Sequence, residues 1–368
     1  MHRRLTSPAG IDLSSNDYLG LADHPLLKQA MAEAVTEEGC GATGSRLLRG
    51  ERPAFDSVER LFAEFKGTEA ALYFSSGYLA NIAVLSTFLE RDDVVFSDER
   101  NHASLIDGIR LAPARRIIFP HCDTAQLARL LRTEQGPGKK FLVTETLFGM
   151  DGDFAPLAQY ANLCRETGTV LVLDEAHAVG VYGRSGSGFV EEAFAENPSA
   201  SDSVFLSINS AGKALGVCGA FVAGPRLAID YLIQRARPFI FSTAPVPATT
   251  AAIAVALQLA GHGLEQRRRL RLLSSHLRKR LCDAGIEVSP AGSHIIPVVL
   301  GSNDHAMAVA TAVQTAGFDV RAIRPPTVPQ GTARLRISLN TKVTEQELDL
   351  FAQALSAAMK SVKAVAAG

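Results

Sequence analysis

The chain has 368 residues, of which 37 are Lys or Arg and 38 are Asp or Glu, and its formal net charge is −1. This length predicts a large core with a second lobe, because one ordinary domain takes roughly 100–200 residues. The balanced charge offers no basic surface for nucleic acid, no apolar run approaches the ~20 residues of a membrane span, and the N-terminus lacks the apolar stretch of a signal peptide. We therefore expect a cytoplasmic, globular protein without a nucleic-acid or membrane partner.

Strands and helices are predicted to alternate from about residue 70 to residue 225. Short apolar or β-branched runs predict strands at 71–74, 93–96, 116–119, 141–144, 170–173, 204–207 and 220–223. Amphipathic stretches of helical length lie between several of them, such as 124–133 and 156–167. Strands that are buried on both faces and separated by helices indicate a mainly parallel sheet covered on two sides. This part of the chain is therefore predicted to be an α/β domain.

The pattern changes towards the C-terminus. Helices are predicted at 249–260 and 266–280, and we interpret the basic run of the second one as a solvated helix face. After it come predicted strands at 286–288, 294–300, 318–323 and 333–339 and predicted helices at 304–316 and 344–362. This order of elements indicates a smaller α+β lobe.

Five cysteines are spread along the sequence, and none forms a C-x-x-C pair. A disulfide framework or a structural zinc site needs clustered cysteines. We therefore expect no metal site, and we expect most of the thiols to be buried.

Two short motifs point to functions that their surroundings exclude. The stretch 39–44 fits the G-x-G-x-x-G dinucleotide fingerprint, but a predicted helix at 25–38 precedes it where a strand is needed. The sequence Asp174-Glu175-Ala176-His177 copies a helicase box, yet an NTPase also needs a phosphate loop in which Ser or Thr follows the lysine. The only candidate, Gly212-Lys213-Ala214, lies downstream and lacks that hydroxyl. The sequence therefore argues against both a nicotinamide site and an NTPase.

Three ionisable residues follow predicted strands in order. Asp174 ends the strand at 170–173, His177 comes three residues later, and Lys213 lies among small residues after the strand at 204–207. Ligands of open α/β sheets bind at the carboxyl ends of the strands. A desolvated lysine there suits Schiff-base chemistry, and a buried acid beside it suits a protonated pyridine nitrogen. The trio predicts a site for pyridoxal 5'-phosphate (PLP).

Further motifs extend this prediction to a family. They are Ser14 to Gly20, Ser76 to Asn81, Asn101 to Leu105, Met150 to Asp153, and Ile323 to Arg336. With them the chain resembles the α-oxoamine synthases, fold-type I PLP enzymes, and its stretch 323–336 looks like the branch that forms 8-amino-7-oxononanoate. The resemblance implies a fold-type I PLP-dependent transferase, with a mainly parallel central sheet, helices on both faces and a smaller α+β domain. We accordingly assign 46–265 to a large PLP-binding domain, and 1–45 and 266–368 to the small domain.

The resemblance also implies roles for the catalytic candidates. Lys213 would hold the cofactor and remove the α-proton of the amino acid, and Asp174 would keep the pyridine nitrogen protonated. His177 would hydrogen-bond the 3-oxygen, and His102 would stack on the ring and touch the substrate, with a helix-cap histidine as the alternative. The other candidates for cofactor binding are Gly77, Tyr78 and Ser210 at the phosphate, and Ser242 and Thr243 at the phosphate of the partner subunit. Glu145 would lie near the ring, with an ordinary buried carboxylate as the alternative.

Substrate contacts are implied in the same way. Arg336 would clamp the carboxylate of the amino acid with the help of Asn16, while Arg324 and Thr327 would contact the acyl chain or the β-keto acid. Family members usually carry a substrate-contacting arginine on an N-terminal helix that this sequence lacks. Arg3 and Arg4 are the candidates to replace it.

The implied reaction is a decarboxylating condensation in biotin biosynthesis. L-Alanine and a pimeloyl thioester, carried by coenzyme A or by acyl carrier protein, would give 8-amino-7-oxononanoate, CO2 and a free thiol on a homodimer with active sites at the subunit interface. One alternative is a sister synthase that takes another amino acid or acyl-CoA, such as a glycine C-acetyltransferase, a 5-aminolevulinate synthase-like enzyme or an acyl-amino-ketone signal synthase. A non-catalytic dimer that keeps the fold as a binding module is the alternative from another class.

Overall fold

The chain forms two compact units in a computed structural model that describes residues 5, 7–289 and 292–367. The smaller unit consists of the chain up to Leu19, Gly149–Asp153 and the chain from Glu265 onward. The larger unit consists of Gly20–Phe148 and Phe154–Leu264. Residues 20–45 therefore belong to the larger unit, which corrects their predicted place in the small domain. The physical reason is that a helix at Pro25–Glu38 packs against a helix at Thr249–His262 within the larger unit.

The helices and strands largely follow the predicted order. They are β1 (Ile11–Asp12), α1 (Pro25–Glu38), α2 (Pro53–Lys66), β2 (Ala70–Phe74), α3 (Gly77–Phe88), β3 (Val94–Asp98), α4 (Ala103–Leu111), β4 (Arg115–Phe119), α5 (Thr124–Thr133), β5 (Lys140–Glu145), α6 (Leu157–Thr167), β6 (Val170–Asp174), α7 (Phe189–Ala193), β7 (Val204–Ser210), β8 (Ala220–Gly224), α8 (Arg226–Arg235), α9 (Arg237–Ile240), α10 (Thr249–His262), α11 (Leu264–Asp283), β9 (Ile295–Gly301), α12 (Asn303–Thr315), β10 (Phe318–Asp319), β11 (Arg321–Ile323), β12 (Ala333–Ser338) and α13 (Glu345–Ala367). No helix in the described part of the chain is long and apolar enough to cross a membrane.

A seven-stranded sheet forms the centre of the larger unit. Its strands lie in the order β2-β8-β7-β6-β5-β3-β4. Strand β8 runs antiparallel to both of its neighbours, and all the other pairs are parallel. The predicted mainly parallel sheet is therefore confirmed.

Both faces of this sheet are covered, as predicted. Successive residues of one strand point to opposite faces, and Leu142 and Val143 of β5 indeed belong to different apolar clusters. The cluster around Val143 includes side chains of α3, α4 and α8, whereas the cluster around Leu142 includes side chains of α5 and α6. This packing leaves the carboxyl ends of the parallel strands, where Asp174 and Glu145 lie, as the edge for polar chemistry.

The smaller unit is an α+β structure. Strands β11, β12 and β9 form an antiparallel sheet in that order, and β1 pairs in parallel with β10. The predicted strand at 318–323 is two short strands, because β10 pairs with β1 while β11 pairs with β12. The predicted strand at 286–288 is wrong. That segment has no ladder partner within residues 7–289 and 292–367, and only Ile286 in it is buried.

The basic helix α11 is not simply a solvated face. Arg267 and Arg278 are buried within the smaller unit. Arg278 donates hydrogen bonds to the carbonyl oxygens of Ser289, Ser293 and Ile295 at 2.8, 2.8 and 3.1 Å. A run of charged residues is fully solvated only where no buried carbonyl groups lie against it. Buried carbonyl groups do lie against this helix.

The cysteines depart from prediction in their burial. Of the five free thiols only that of Cys164 is buried, while those of Cys40, Cys218 and Cys282 are exposed. Asp98, His121 and Cys122 bring one potential metal-ligating atom each within 4.8 Å of the others. The sequence could not reveal this group, because Asp98 ends β3 and the other two follow β4. Hydrogen bonds to Asp98 from His121 Nδ1 and from the backbone N–H of Cys122, both at 2.9 Å, account for their closeness.

Candidate active site

The predicted trio gathers at the carboxyl edge of the large sheet. Lys213 lies in the turn after β7, and its Nζ is 2.8 Å from Nε2 of His177. Asp174 ends the adjacent strand β6, and its Oδ1 accepts a hydrogen bond from the backbone N–H of Ala176 at 2.8 Å. His177 and Asp174 are both buried. An amine, an imidazole and a carboxylate thus share one desolvated edge of the sheet.

Asn81 orients the Asp174 carboxylate and was not singled out from the sequence. Its Nδ2 donates to Asp174 Oδ2 at 2.7 Å and to Ser104 Oγ at 2.8 Å. Its Oδ1 is buried and has no hydrogen-bond partner among the described residues. The signal available in the sequence was one asparagine on the otherwise apolar buried side of α3.

His102 is held beside this group at the start of α4. Its Nδ1 is 2.7 Å from Ser104 Oγ and accepts a hydrogen bond from the backbone N–H of Ser104, so the ring is the N-cap of the helix. Its own backbone N–H donates to Glu145 Oε1 at 2.8 Å. Burial lowers the pKa of His102, and the Lys213 cation lowers it further, against the opposing effect of Asp174. The imidazole is therefore neutral near pH 7.

The N-terminus of α3 provides space for an anion. Ser76 caps the helix by accepting a hydrogen bond from the backbone N–H of Leu79 at 3.3 Å. A Cβ built on Gly77 would have only the Ala220 Cβ near it, at 4.0 Å, so this side of the backbone is open. Tyr78 is 42% exposed, and its hydroxyl donates to the Asp107 carboxylate.

The remaining candidates for phosphate binding lie in the same unit. Ser210 Oγ accepts a hydrogen bond from the backbone N–H of Gly212 at 3.2 Å, which ties it to the turn that carries Lys213. Ser242 and Thr243 line one pocket together with Arg46 and Ser75. Because Ser75 precedes the cap of α3, this pocket begins next to the open helix N-terminus.

Arg336 forms a separate polar centre in the smaller unit. Its Nη2 donates to Asn16 Oδ1 at 3.0 Å and to the Tyr18 hydroxyl at 3.4 Å. Its Nη1 donates to Ser338 Oγ at 2.7 Å, and its Nε donates to the carbonyl oxygen of Gly149. Asn16 and Arg336 are thus brought together as predicted. Tyr18 and Ser338 were not singled out from the sequence.

A buried histidine supports this centre from behind. The ring of His294 packs edge-on against Tyr18, with the ring centroids 4.0 Å apart. Burial, together with the Arg336 and Arg278 cations, lowers the pKa of His294 to about 3. A neutral ring can lie between two guanidinium groups without like-charge repulsion.

The other predicted substrate contacts lie in the loop between β11 and β12. Arg324 is half-buried and Thr327 is exposed, and the backbone N–H of Thr327 donates to the carbonyl oxygen of Arg324 at 3.0 Å. The structure gives no hydrogen bond between either side chain and Arg336 among the described residues. Arg3 and Arg4 lie outside the described residues.

Comparison with known proteins gives the family. The profile of aminotransferase class I and II matches residues 8–355. The 8-amino-7-oxononanoate synthase of Alkalilimnicola ehrlichii is 44% identical over 341 residues, which is 93% of this chain and 86% of that protein. Two solved structures are similar to this chain in fold.

One is a serine palmitoyltransferase variant from S. paucimobilis with a bound PLP–myriocin aldimine, with a TM-score of 0.92 and 28% identity over 96% of this chain and 88% of that one. The other is 8-amino-7-oxononanoate synthase from Francisella tularensis, with a TM-score of 0.81 and 30% identity over 96% of this chain and 98% of that one. The predicted fold-type I architecture is confirmed. The chain belongs to the aminotransferase class I and II family and, within it, to the α-oxoamine synthases.

Proposed function

We propose that this chain catalyses the PLP-dependent decarboxylating condensation of L-alanine with a pimeloyl thioester, giving 8-amino-7-oxononanoate, CO2 and a free thiol in biotin biosynthesis. The observation that carries the reaction type is the 2.8 Å contact between Lys213 Nζ and His177 Nε2 beside the buried Asp174. The choice of substrates is supported by relatives named 8-amino-7-oxononanoate synthase, which match at 44% identity across nearly the whole chain.

The residues of the larger unit fit PLP. The amine of Lys213 can hold its aldehyde carbon, and Asp174 offers a buried carboxylate for its ring nitrogen. The buried Asn81 Oδ1 has no hydrogen-bond partner in the described part of the protein and suits a further donor at this place. The open backbone at Gly77, at the start of a twelve-residue helix, suits the phosphate.

The catalytic roles follow from this chemistry. When bound, the cofactor supplies an electron-accepting ring that stabilises negative charge at the α-carbon of the amino acid. Asp174 holds a proton on the ring nitrogen, and Asn81 keeps the carboxylate oriented for this. Lys213, whose amine would hold the cofactor, would also accept the α-proton of the amino acid at its Nζ. His177 would donate to the 3-oxygen of the cofactor, and His102, which is neutral, would lie against the ring without adding a positive charge.

The phosphate contacts are assigned to backbone and hydroxyl groups. Gly77 and Tyr78 present backbone N–H groups at the helix N-terminus, where the helix dipole favours an anion. Ser210 adds a hydroxyl from the turn that carries Lys213. Glu145 acts indirectly by fixing the backbone of His102.

Arg336 is assigned to the carboxylate of the amino acid. A guanidinium suits this task because it presents parallel N–H groups to two carboxylate oxygens. Asn16, Tyr18 and Ser338 hold it in one orientation. Arg324 and Thr327 are assigned to the acyl chain or the β-keto acid.

Replacing Arg336 by Lys tests this clamp. We expect the KM for alanine to rise roughly 10- to 100-fold, which corresponds to losing ~1.5–3 kcal/mol of hydrogen bonding to a charged group. The KM for the thioester should change little. Steady-state kinetics with each substrate varied in turn measures this difference. The exposed pair of Arg132 and Glu166 gives the matched control Arg132→Lys, which should behave as wild type.

A homodimer completes the proposal. Phe241, next to Ser242 and Thr243, is 71% exposed, and Leu48 is 82% exposed in the same unit. A contact between subunits that covered these side chains would remove their apolar surface from water. We assign Ser242 and Thr243 to the phosphate of the partner subunit, and the acyl donor to pimeloyl-CoA or pimeloyl-acyl carrier protein.

A matrix of substrates tests the assignment. Alanine, glycine and serine are each combined with pimeloyl, acetyl and palmitoyl thioesters, and thiol release is measured. We expect alanine with the pimeloyl thioester to give the highest kcat/KM. Serine with the palmitoyl thioester is the specific rival, because the solved serine palmitoyltransferase has the higher TM-score of the two structures. Preferred turnover of any other pair would refute the substrate assignment while leaving the PLP chemistry standing.

A further inference from the structure

A buried ion pair lies directly beside the cofactor residues. Lys66, the last residue of α2, places its Nζ against Oε2 of Glu175, the residue that follows Asp174. The two side chains are only 4% and 0% exposed. Removing two charges from water costs several kcal/mol for each ion, so a pair this deeply buried needs strong compensation. None of the proposed catalytic steps uses either side chain.

The pair ties three segments together. Lys66 Nζ also donates to the carbonyl oxygen of Ser187 at 2.7 Å. Glu175 Oε1 accepts a hydrogen bond from the backbone N–H of Val190 at 2.9 Å. A Cβ on Gly188 would lie 2.7 Å from Glu175 Oε2 and 2.8 Å from Lys66 Nζ, so the loop packs onto the pair without spare room. The two charged groups therefore fill the space between α2, the end of β6 and the loop before α7.

Glu175 also fixes the course of the backbone that carries the catalytic side chains. Its N–H donates to the carbonyl oxygen of Ile208 in β7 at 2.7 Å, and its own carbonyl oxygen accepts from the N–H groups of Ala178 and Val179 at 2.8 and 3.0 Å. His177 lies inside the resulting turn, and Asp174 lies immediately before it. A displacement of Glu175 therefore moves both residues that the cofactor would contact.

We propose that the buried Lys66–Glu175 pair positions the turn that carries Asp174 and His177, and so sets how tightly this chain holds its pyridine cofactor. Both are positioning residues, because neither touches the reacting atoms. The inference rests on the proposed PLP site. It adds that the affinity of this site for PLP depends on a buried ion pair. Lys66 of this pair ends α2, and Glu175 lies within the helicase-like sequence motif.

Charge-removing variants test the pair. Lys66→Met leaves the Glu175 carboxylate without its cation, and Glu175→Gln leaves the Lys66 ammonium without its anion. The double variant removes both charges and keeps an acceptor oxygen for Val190. In each single variant we expect the Kd for PLP to rise roughly tenfold or more, since small misplacements of binding groups have effects of this size. In the double variant most of the loss should be recovered.

A second readout separates positioning from overall stability. The absorbance of bound PLP is followed as the pH is varied, and its midpoint reports on the groups around Lys213 and His177. We expect the midpoint to move by roughly half a pH unit or more in the single variants and to return towards wild type in the double variant. A loss of stability alone would leave the midpoint unchanged. The exposed pair of Lys28 and Asp23 provides the control Lys28→Met, which should match wild type in both readouts.

The outcomes also separate this inference from the proposed function. If wild type binds no PLP, the proposed function fails. If wild type binds PLP and both single variants keep its Kd and its midpoint, the positioning role is refuted. A double variant that binds PLP more weakly than either single variant would refute it too. Each single variant is tested for folding by circular dichroism. Should it fail to fold, recovery of PLP binding in the double variant supports the positioning role, and no recovery refutes it.

Discussion

Replacing Lys213 by Ala should abolish turnover of alanine and pimeloyl thioester while leaving the chain folded. The side chain provides both the covalent attachment for PLP and the base for the α-proton. Loss of a general base alone costs roughly 10²–10⁴-fold in rate. The fold should survive, because Lys213 lies in a turn at the edge of the sheet and contributes no apolar side chain to the core.

Turnover, thermal unfolding and the visible absorbance of PLP-loaded protein check this expectation together. The Lys213→Ala protein should unfold near the wild-type temperature and lack the absorbance of covalently held cofactor. Lys28→Ala, at an exposed ion pair, is the matched control and should keep full activity. Wild-type turnover in the Lys213→Ala protein would contradict its assignment.

Replacing Asp174 by Asn should lower kcat by roughly 10²–10³-fold even at saturating PLP. This is the usual size of the effect when one preorganised electrostatic group is removed. An amide has nearly the same shape, and its oxygen can still accept from the backbone N–H of Ala176. Its NH2 group can donate to Asn81 Oδ1 once the Asn81 amide turns over, so the local structure is kept. It carries no negative charge, however, and cannot hold a proton on the ring nitrogen.

This expectation is checked by kcat at several PLP concentrations. A rate that recovers fully at high PLP would mean that Asp174 serves only to bind the cofactor, which contradicts its role in holding the proton. The exposed Asp23, paired with the exposed Lys28, provides the control Asp23→Asn, which should keep the wild-type rate.

The sequence predicted the parts of this protein that depend on local pattern. The strands ending near Glu145 and Asp174 are continuous apolar runs, and such runs indicate a buried parallel sheet without knowledge of the fold. The spacing of Asp174, His177 and Lys213 could be interpreted because carboxyl ends of parallel strands meet at one edge. The family resemblance then supplied roles for residues that spacing alone leaves ambiguous.

The parts that the sequence did not predict depend on contacts between distant residues. Asn81 and Asp174 are 93 positions apart, and Lys66 and Glu175 are 109 positions apart. No periodicity links such residues, and a lone asparagine, lysine or glutamate is ordinarily at the surface. The same reason explains why the sequence predicts a solvated helix face at Arg267 and Arg278, since two of the three carbonyl groups that Arg278 contacts, those of Ser289 and Ser293, come from a segment without regular structure.

Glu175 suggests one function in the sequence motif and has a different role in the structure. In the sequence it completes an apparent helicase box, which the absence of a suitable phosphate loop excludes. In the fold its carboxylate contacts Lys66 and accepts a hydrogen bond from the backbone N–H of Val190. The ion pair with Lys66 therefore explains the carboxylate of Glu175, whereas the proposed cofactor chemistry explains the carboxylate of Asp174.

Isotope tracing of the product tests the central proposal most directly. The PLP-loaded protein is given L-alanine labelled with 13C in its carboxyl group, together with pimeloyl thioester, and CO2 and product are analysed by mass spectrometry. We predict labelled CO2 and an unlabelled product with the mass of 8-amino-7-oxononanoate, formed in equal amounts with free thiol. Label retained in the product, or thiol release without labelled CO2, would contradict the proposal.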